Sequence, residues 1–456
     1  MRRTTIVMAA LMISSAAFSQ GFTTSGDGTQ YSFEKLSTIA GTGVTRDENA
    51  YIVSVMDTIA AGDSFKIDEG VTVRFDDGAG LVIEGQADLR CGNGRTLLSL
   101  AGKGESDGIS VSDPLGMTEA SNLDFEYVGL RNYSPTGMNV NDCTFSKHLG
   151  GVSSALFLGT GGASFHVSNC QFAECQKSAI GGAANFSCNV VIENCTFTHN
   201  SQANRNIPQI NLTAAPSIEI RNCVVEGDST LNMVGGIAIA NWYGTSGNKA
   251  TIESCAIKDN RYGITTMGAM DVVIRDNQIV NNKFETDPNN GGSGISLYDP
   301  YGKQTAMVSG NYIERSLWGI TVIGCGEVNL GKTTVDASAI DYNPGGNTFK
   351  DNGNNGVLYD LYNNSANTIY AQGNVWNCAV QDSVSIEQVV FHKNDLSSLG
   401  EVIFMPASTP EGVRTETVGR QEAGSGIYDL FGRKIHNEGF LPKGIYIING
   451  KKIVRR

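Results

Sequence analysis

The sequence predicts an all-β solenoid, a parallel β-helix of a dozen or so coils, and three observations carry that expectation. A five-residue pattern centred on Cys or Asn recurs at intervals of one coil. Between its copies lies a second element, a small residue followed by an apolar-x-apolar strand. The composition supplies the turns, with 55 Gly but only 10 Pro in 456 residues, and 40% of the chain is hydrophobic, enough to fill a long core.

The copies of the first pattern are Asn141-Asp142-Cys143-Thr144-Phe145, Ser168-Asn169-Cys170-Gln171-Phe172, Glu193-Asn194-Cys195-Thr196-Phe197, Arg221-Asn222-Cys223-Val224-Val225 and Glu253-Ser254-Cys255-Ala256-Ile257. Asn then replaces Cys in Arg275-Asp276-Asn277-Gln278-Ile279, Ser309-Gly310-Asn311-Tyr312-Ile313, Gly345-Gly346-Asn347-Thr348-Phe349 and Gln372-Gly373-Asn374-Val375-Trp376. From Cys143 to Asn374 the successive spacings are 27, 25, 28, 32, 22, 34, 36 and 27 residues, one coil plus loops of variable length. The second element is Gly236-Ile237-Ala238-Ile239, Gly263-Ile264-Thr265-Thr266, Gly294-Ile295-Ser296-Leu297, Gly319-Ile320-Thr321-Val322 and Gly356-Val357-Leu358-Tyr359. Its alternation turns one set of side chains in and the other out.

Stacked parallel coils bring equivalent residues about 4.8 Å apart. The Cys copies are therefore expected to form an internal ladder of thiols, and the Asn copies a hydrogen-bonded ladder at turns. Disulfides compete with that reading in an oxidising compartment, with Cys170, Cys175, Cys188 and Cys195 the closest set. Zinc is disfavoured by the missing CxxC spacing and the lack of nearby His.

The ends of the chain have their own signatures. Arg2 and Arg3 precede an apolar stretch, Ile6 to Ala17, too short to span a membrane, and Ala17 and Ser19 suit a cleavage site before Gln20. Residues 1–19 are read as a signal peptide, 20–405 as the solenoid with an N-terminal cap, 406–425 as a polar linker, and 426–456 as a small β domain. In that last segment Gly426-Ile427-Tyr428-Asp429-Leu430-Phe431-Gly432-Arg433-Lys434 and Leu441-Pro442-Lys443-Gly444-Ile445-Tyr446-Ile447-Ile448-Asn449-Gly450-Lys451-Lys452 predict strands with an Asn-Gly hairpin turn.

These residues carry two resemblances. Roughly residues 50 to 405 resemble the pectin-lyase-like superfamily of right-handed parallel β-helices. The opening coils, with Gly70-Val71-Thr72-Val73-Arg74-Phe75 and Gly80-Leu81-Val82-Ile83-Glu84-Gly85, and the closing ones, with Gly346-Asn347-Thr348-Phe349 and Tyr359-Asp360-Leu361-Tyr362-Asn363, carry it most clearly. The tail resembles the C-terminal sorting domains of type IX secretion cargo in Bacteroidetes. Together they imply a protein secreted by, or held on the outer surface of, a Gram-negative bacterium.

Charge narrows the partners. The net charge is −13, so a nucleic-acid backbone would be repelled. Only 17% of residues are charged, leaving a surface of Asn, Ser, Thr, Gly and Gln suited to hydrogen bonding neutral or weakly charged sugars. The superfamily resemblance implies a polysaccharide lyase or glycoside hydrolase, but activity has to be found in a site. Hydrolysis needs two carboxylates about 5–9.5 Å apart. The outward residues of the Gly-led strands read Ala238 and Ala240, Thr265 and Met267, Ser296 and Tyr298, Thr321 and Ile323, Leu358 and Asp360, a single carboxylate among them.

A lyase would need a base and a cation. Lys258, Asp259 and Arg261, with Arg315 a coil or two later, are candidates for that work, against the commoner reading as solvated turn charges. Asp287, Asn289 and Asp351 lie in oxygen-rich turns that could hold calcium, or simply turn the chain. Trp242, Tyr243, Tyr262, Tyr298, Tyr301 and Trp318 are candidate sugar-stacking rings, against plain loop packing. The leading expectation is a glycan-binding or adhesin-like surface protein. The alternatives are a polysaccharide lyase or glycoside hydrolase on an acidic or complex glycan, and a structural surface protein.

Overall fold

The computed structural model describes residues 21–113, 115–150, 154–159, 161–182, 188–213, 216–241 and 247–409, and beyond them the strands Ile427–Tyr428, Lys434–Ile435, Gly444–Ile448 and Lys451–Arg455. The chain divides into two compact units between Ser408 and Thr409. Residues 1–19, read from the sequence as a signal peptide, and residues 410–425 of the expected linker lie outside the described residues.

In the first unit each circuit contributes one short strand to each of three sheets. One circuit runs through Ile264–Gly268 in the first sheet, Asp271–Arg275 in the second and Gln278–Val280 in the third. The next returns through Ser293–Tyr298, Thr305–Ser309 and Tyr312–Glu314 in register with it. The three sheets hold 13, 14 and 13 described strands. Neighbours are parallel, apart from the opening antiparallel pair Val44–Asp47 with Ala50–Val53. No helix among the described residues is long and apolar enough to cross a membrane.

Why the chain turns where it does follows from two rows of left-handed residues. Between the second and third sheets Asn122, Asp142, Asn169, Asn194, Asn222, Ser254 and Asp276 have φ of 54–57°, and Gly310, Gly346 and Gly373 take over the same place. Asn, Asp and Gly tolerate this region at least cost. The residue after each one points inward, which is why the Cys or Asn always follows an Asn, Asp, Ser or Gly. Cys143, Cys170, Cys195, Cys223 and Cys255 are all buried free thiols. The backbone N–H of Cys170 donates to Cys195 Sγ (3.4 Å), and each thiol from Cys170 onward donates to the carbonyl two residues upstream.

At Cys255 the ladder changes chemistry. Its N–H donates to Asn277 Oδ1 (2.9 Å), and from there Asn277, Asn311, Asn347 and Asn374 link amide to amide at 2.9 Å per step. Beside the thiols, in the third sheet, Phe125, Phe145, Phe172 and Phe197 stack with centroids 4.6–4.9 Å apart and planes within 5° of parallel. Both ladders repeat at the inter-strand distance, so each side chain meets its own equivalent above and below.

The N-terminal end is closed by the helix Phe33–Ser37. Ser32 caps it, the Asp68 carboxylate accepts from Phe33 N (2.7 Å), and Phe33 and Leu36 plug the core. At the other end the turn Ser383–Ile386, capped by Asp382, seats Ile386 over the last coil.

One strand expectation is corrected. Val357–Leu358 pairs antiparallel with Gly353–Asn354 in a hairpin outside the three sheets, and the strand of that coil is Leu361–Asn364. Asp360, expected to face outward, is fully buried. Its Oδ2 accepts from Asn377 N (2.7 Å), and burial pushes its carboxyl up to about 7.

The second unit is a four-stranded antiparallel sheet. Gly444–Ile448 pairs with Lys451–Arg455 such that Ile448 faces Lys451, the pairing a two-residue connection requires.

Candidate functional site

The outer face of the first sheet carries an open groove of about 750 Å³. Register places its floor in two rows. Asn211, Ala238, Thr265, Ser296, Thr321 and Tyr362 follow one another from strand to strand, and beside them run Thr213, Ala240, Met267, Tyr298, Ile323 and Asn364. The first row is mostly hydroxyl and amide, and the second mostly apolar. Six strands at the inter-strand spacing give the floor a length of about 24 Å.

The wall is built by loops that enter the first sheet from the third. They bring Asn206 and Pro208, then Arg261 and Tyr262, then Pro288 to Gly291 to the groove. Arg261 ties the wall together. Its guanidinium donates to Asn206 Oδ1 on one side and to the Asn290 carbonyl on the other, while its Nε is buried without a partner. Burial pushes the Tyr262 hydroxyl up to about 12, so it is neutral at ordinary pH. The Trp318 indole N–H donates to the Pro288 carbonyl (2.9 Å), which holds the ring at the foot of the wall. Trp318 packs 4.7 Å from Tyr359 and 4.9 Å from Tyr362, and Tyr362 stacks on Phe391 at 4.8 Å. The groove thus ends in an aromatic cluster.

The sequence-predicted candidates disperse over this frame. Arg261, Tyr262 and Trp318 line the groove, as does Asn289. Tyr298 belongs to the apolar row and is 40% exposed, whereas Tyr301 stands off in the following turn, 83% exposed. Trp242 and Tyr243 lie outside the described residues. Lys258 is on the third sheet, paired with Glu226 at 3.0 Å. Asp259, Arg315 and Asp351 share one structural position, the left-handed turn between the third and first sheets, with φ of 60°, 53° and 53°. Asp259 accepts from Asn281 Nδ2 (2.5 Å), and Arg315 pairs with Glu314 (2.6 Å). The basic and acidic candidates are therefore not brought to one place.

Nor do the calcium candidates converge. Asp287 Oδ1 accepts from the backbone and side-chain nitrogens of Asn289 (3.0 and 2.9 Å), and its Oδ2 accepts from Asn290 Nδ2 (3.1 Å). Asp351 belongs to a different coil. Among the described residues no group of three or more His, Cys, Asp or Glu is placed to hold a metal ion.

The floor residues Asn211, Thr213 and Asn364, and the aromatic Tyr362, were missed by the sequence reading. Tyr362 was legible in principle, since Leu361 and Asn363 flank it with inward alternation. The loop-borne Asn206 and Asn290 left no such signal, because only the folded wall brings them to Arg261.

A family model described as the right handed beta helix region matches residues 107–284. The fold is the right-handed parallel β-helix. No curated protein matches the chain. Among solved structures, this β-helix is similar to a double mutant of the periplasmic alginate epimerase AlgG (10% identity, 84% of this chain and 84% of that chain covered, TM-score 0.43). The unsubstituted AlgG gives 10% identity, coverage of 82% and 83%, and a TM-score of 0.39. The Azotobacter vinelandii mannuronan C-5 epimerase AlgE6 A-module gives 11% identity, coverage of 79% and 89%, and a TM-score of 0.28. Likenesses this distant carry no argument about what the β-helix binds or does.

Proposed function

We propose that the protein binds an extended glycan along the groove of the first sheet and leaves it chemically unchanged. The observation that carries this reading is the floor: two parallel rows about 24 Å long, one of hydroxyls and amides, one apolar, closed at one end by Trp318 and Tyr362. A groove of that length suits a polymer rather than a single small molecule. Sugars offer hydroxyl edges and apolar C–H faces, which these rows and rings are built to meet.

Chemistry is disfavoured by the same lining. It contains no Asp, Glu, His or Lys. The undescribed segments 183–187, 214–215 and 242–246, which adjoin its strands in the chain, carry none either. A hydrolase has no carboxylate pair to use there. The signal segment 1–19 and the sorting-type tail 426–456 support delivery to the medium or the outer cell surface, where such polymers are met.

The test is titration of the full chain with oligosaccharides of increasing length from plant, host and bacterial polysaccharides, by calorimetry and Trp fluorescence. Affinity should rise with length until the groove is filled, and Trp318→Ala should weaken binding by roughly tenfold or more. Release of shortened products, or ultraviolet absorbance from unsaturated ends, would overturn the non-catalytic reading. Retention of no glycan at all would overturn the binding reading and leave a structural surface protein.

A further inference from the structure

Resting on the reading of the groove as a glycan site, we infer that its ligand is an uncharged glycan, not a polymer of acidic sugars. Three observations point the same way.

First, Arg261 is the one charged side chain among the described lining residues, and each of its terminal nitrogens already has a partner in the wall. The two nitrogens donate to Asn206 Oδ1 and the Asn290 carbonyl. Its Nε lies flush against the backbone of Gly291, where an added Cβ would stand 2.9 Å from it, and is closed to solvent. Recognition of a carboxylate by Arg relies on two N–H groups offered side by side on one open edge. Here the Nε edge is closed, and one N–H from each terminal nitrogen is used as a strap between two wall loops.

Second, an acidic polymer would bring a charge with nearly every sugar. Laid along about 24 Å of floor, several carboxylates would face one engaged cation, in a protein whose net charge is −13. Desolvating them there without partners is costly.

Third, what the floor offers instead is neutral on both sides. Asn211, Thr265 and Ser296 can exchange hydrogen bonds with hydroxyls, while Met267 and Ile323 give a C–H face something to cover. Tyr262 beside them stays protonated at ordinary pH and is a neutral hydroxyl as well.

The experiment compares one acidic oligosaccharide with its carboxyl-reduced form, identical in length and linkage, by calorimetry on the full chain at low and high salt. The neutral form should bind at least tenfold tighter and be nearly insensitive to salt. The acidic form should improve as salt screens the repulsion. Ser296→Lys, which puts a cation on the floor without touching the strap, should close the gap by raising affinity for the acidic form. Tighter binding of the acidic form, weakening with salt, would overturn this inference while leaving the groove a glycan site. Failure of both forms and of every neutral oligosaccharide would overturn the groove reading itself.

Discussion

The coils from Cys143 to Cys255 and those from Asn277 to Asn374 fill the same inward position with opposite chemistry. In the first region the side chain is a thiol, a small hydrophobe that makes weak sulfur hydrogen bonds and sits beside stacked Phe rings. In the second it is an amide with every polar atom employed. Asn311 Nδ2 donates to Ile274 O (2.9 Å), Ser309 O (3.0 Å) and Asn347 Oδ1 (2.9 Å), while its Oδ1 accepts from the N–H and Nδ2 of Asn277. One position can thus be satisfied by apolar fit or by complete hydrogen bonding. The second way couples neighbouring coils more tightly, because each amide completes the valence of the next.

The sharpest way to break the comparison is Asn311→Ala. It should strand the N–H and one amide proton of Asn277 in the core and lower stability by about 3 kcal/mol in chemical denaturation. A smaller effect separates the two regions directly. Cys195→Asn places an amide between two thiols and should cost about 1–3 kcal/mol. Cys255→Asn, at the boundary, can extend the chain of amides onto Asn277 and should stay within about 1 kcal/mol of the parent. Equal losses at the two sites would show that the amide ladder gains nothing from continuity.

The smallest effect is a pH dependence of opposite sign in the two regions. Burial holds His148, in the first region, down to about 4 from its usual 6.5. Its contribution is fully present above about pH 6.5 and is lost as pH falls through 4. Asp360, in the second, is raised from 3.8 to about 7, so its contribution is fully present below 3.8 and is lost as pH rises through 7. Between pH 4 and 6.5 the two contributions oppose each other, so the denaturation midpoint of the parent should change little there. His148→Gln should unmask a midpoint that falls as pH rises from 4 to 7, and Asp360→Asn one that rises from pH 4 to 6.5.

Much of the fold was legible because a solenoid writes its period into the chain. The Asn-Cys and Asp-Asn pairs announce a left-handed turn followed by an inward rung, and the Gly-led strands announce the first sheet. The misplacement at Val357–Leu358 has a physical cause: a hairpin carries the same Gly-apolar text as a coil strand, and only the register of Leu361 with Ile320 distinguishes them. The groove was legible by half. Its floor follows from alternation, whereas its wall depends on loops of unequal length meeting across coils. Arg261 therefore read as a candidate base when the folded chain makes it a tie. Asp259, Arg315 and Asp351 stood between chemistry and plain turn residues for a related reason, since a charged residue in a tight turn looks alike in both roles.

The variable spacing of the rungs has one more consequence. The coil from Cys255 to Asn277 makes its circuit in 22 residues, while its two neighbours spend 32 and 34, and the surplus goes into loops without disturbing the strands. The floor of the groove is in effect a ruler, graduated once per coil, whose markings are independent of the height of its edge. Duplicating a coil would lengthen it by one graduation of about 4.8 Å, and the longest ligand segment it can measure should grow by the same step.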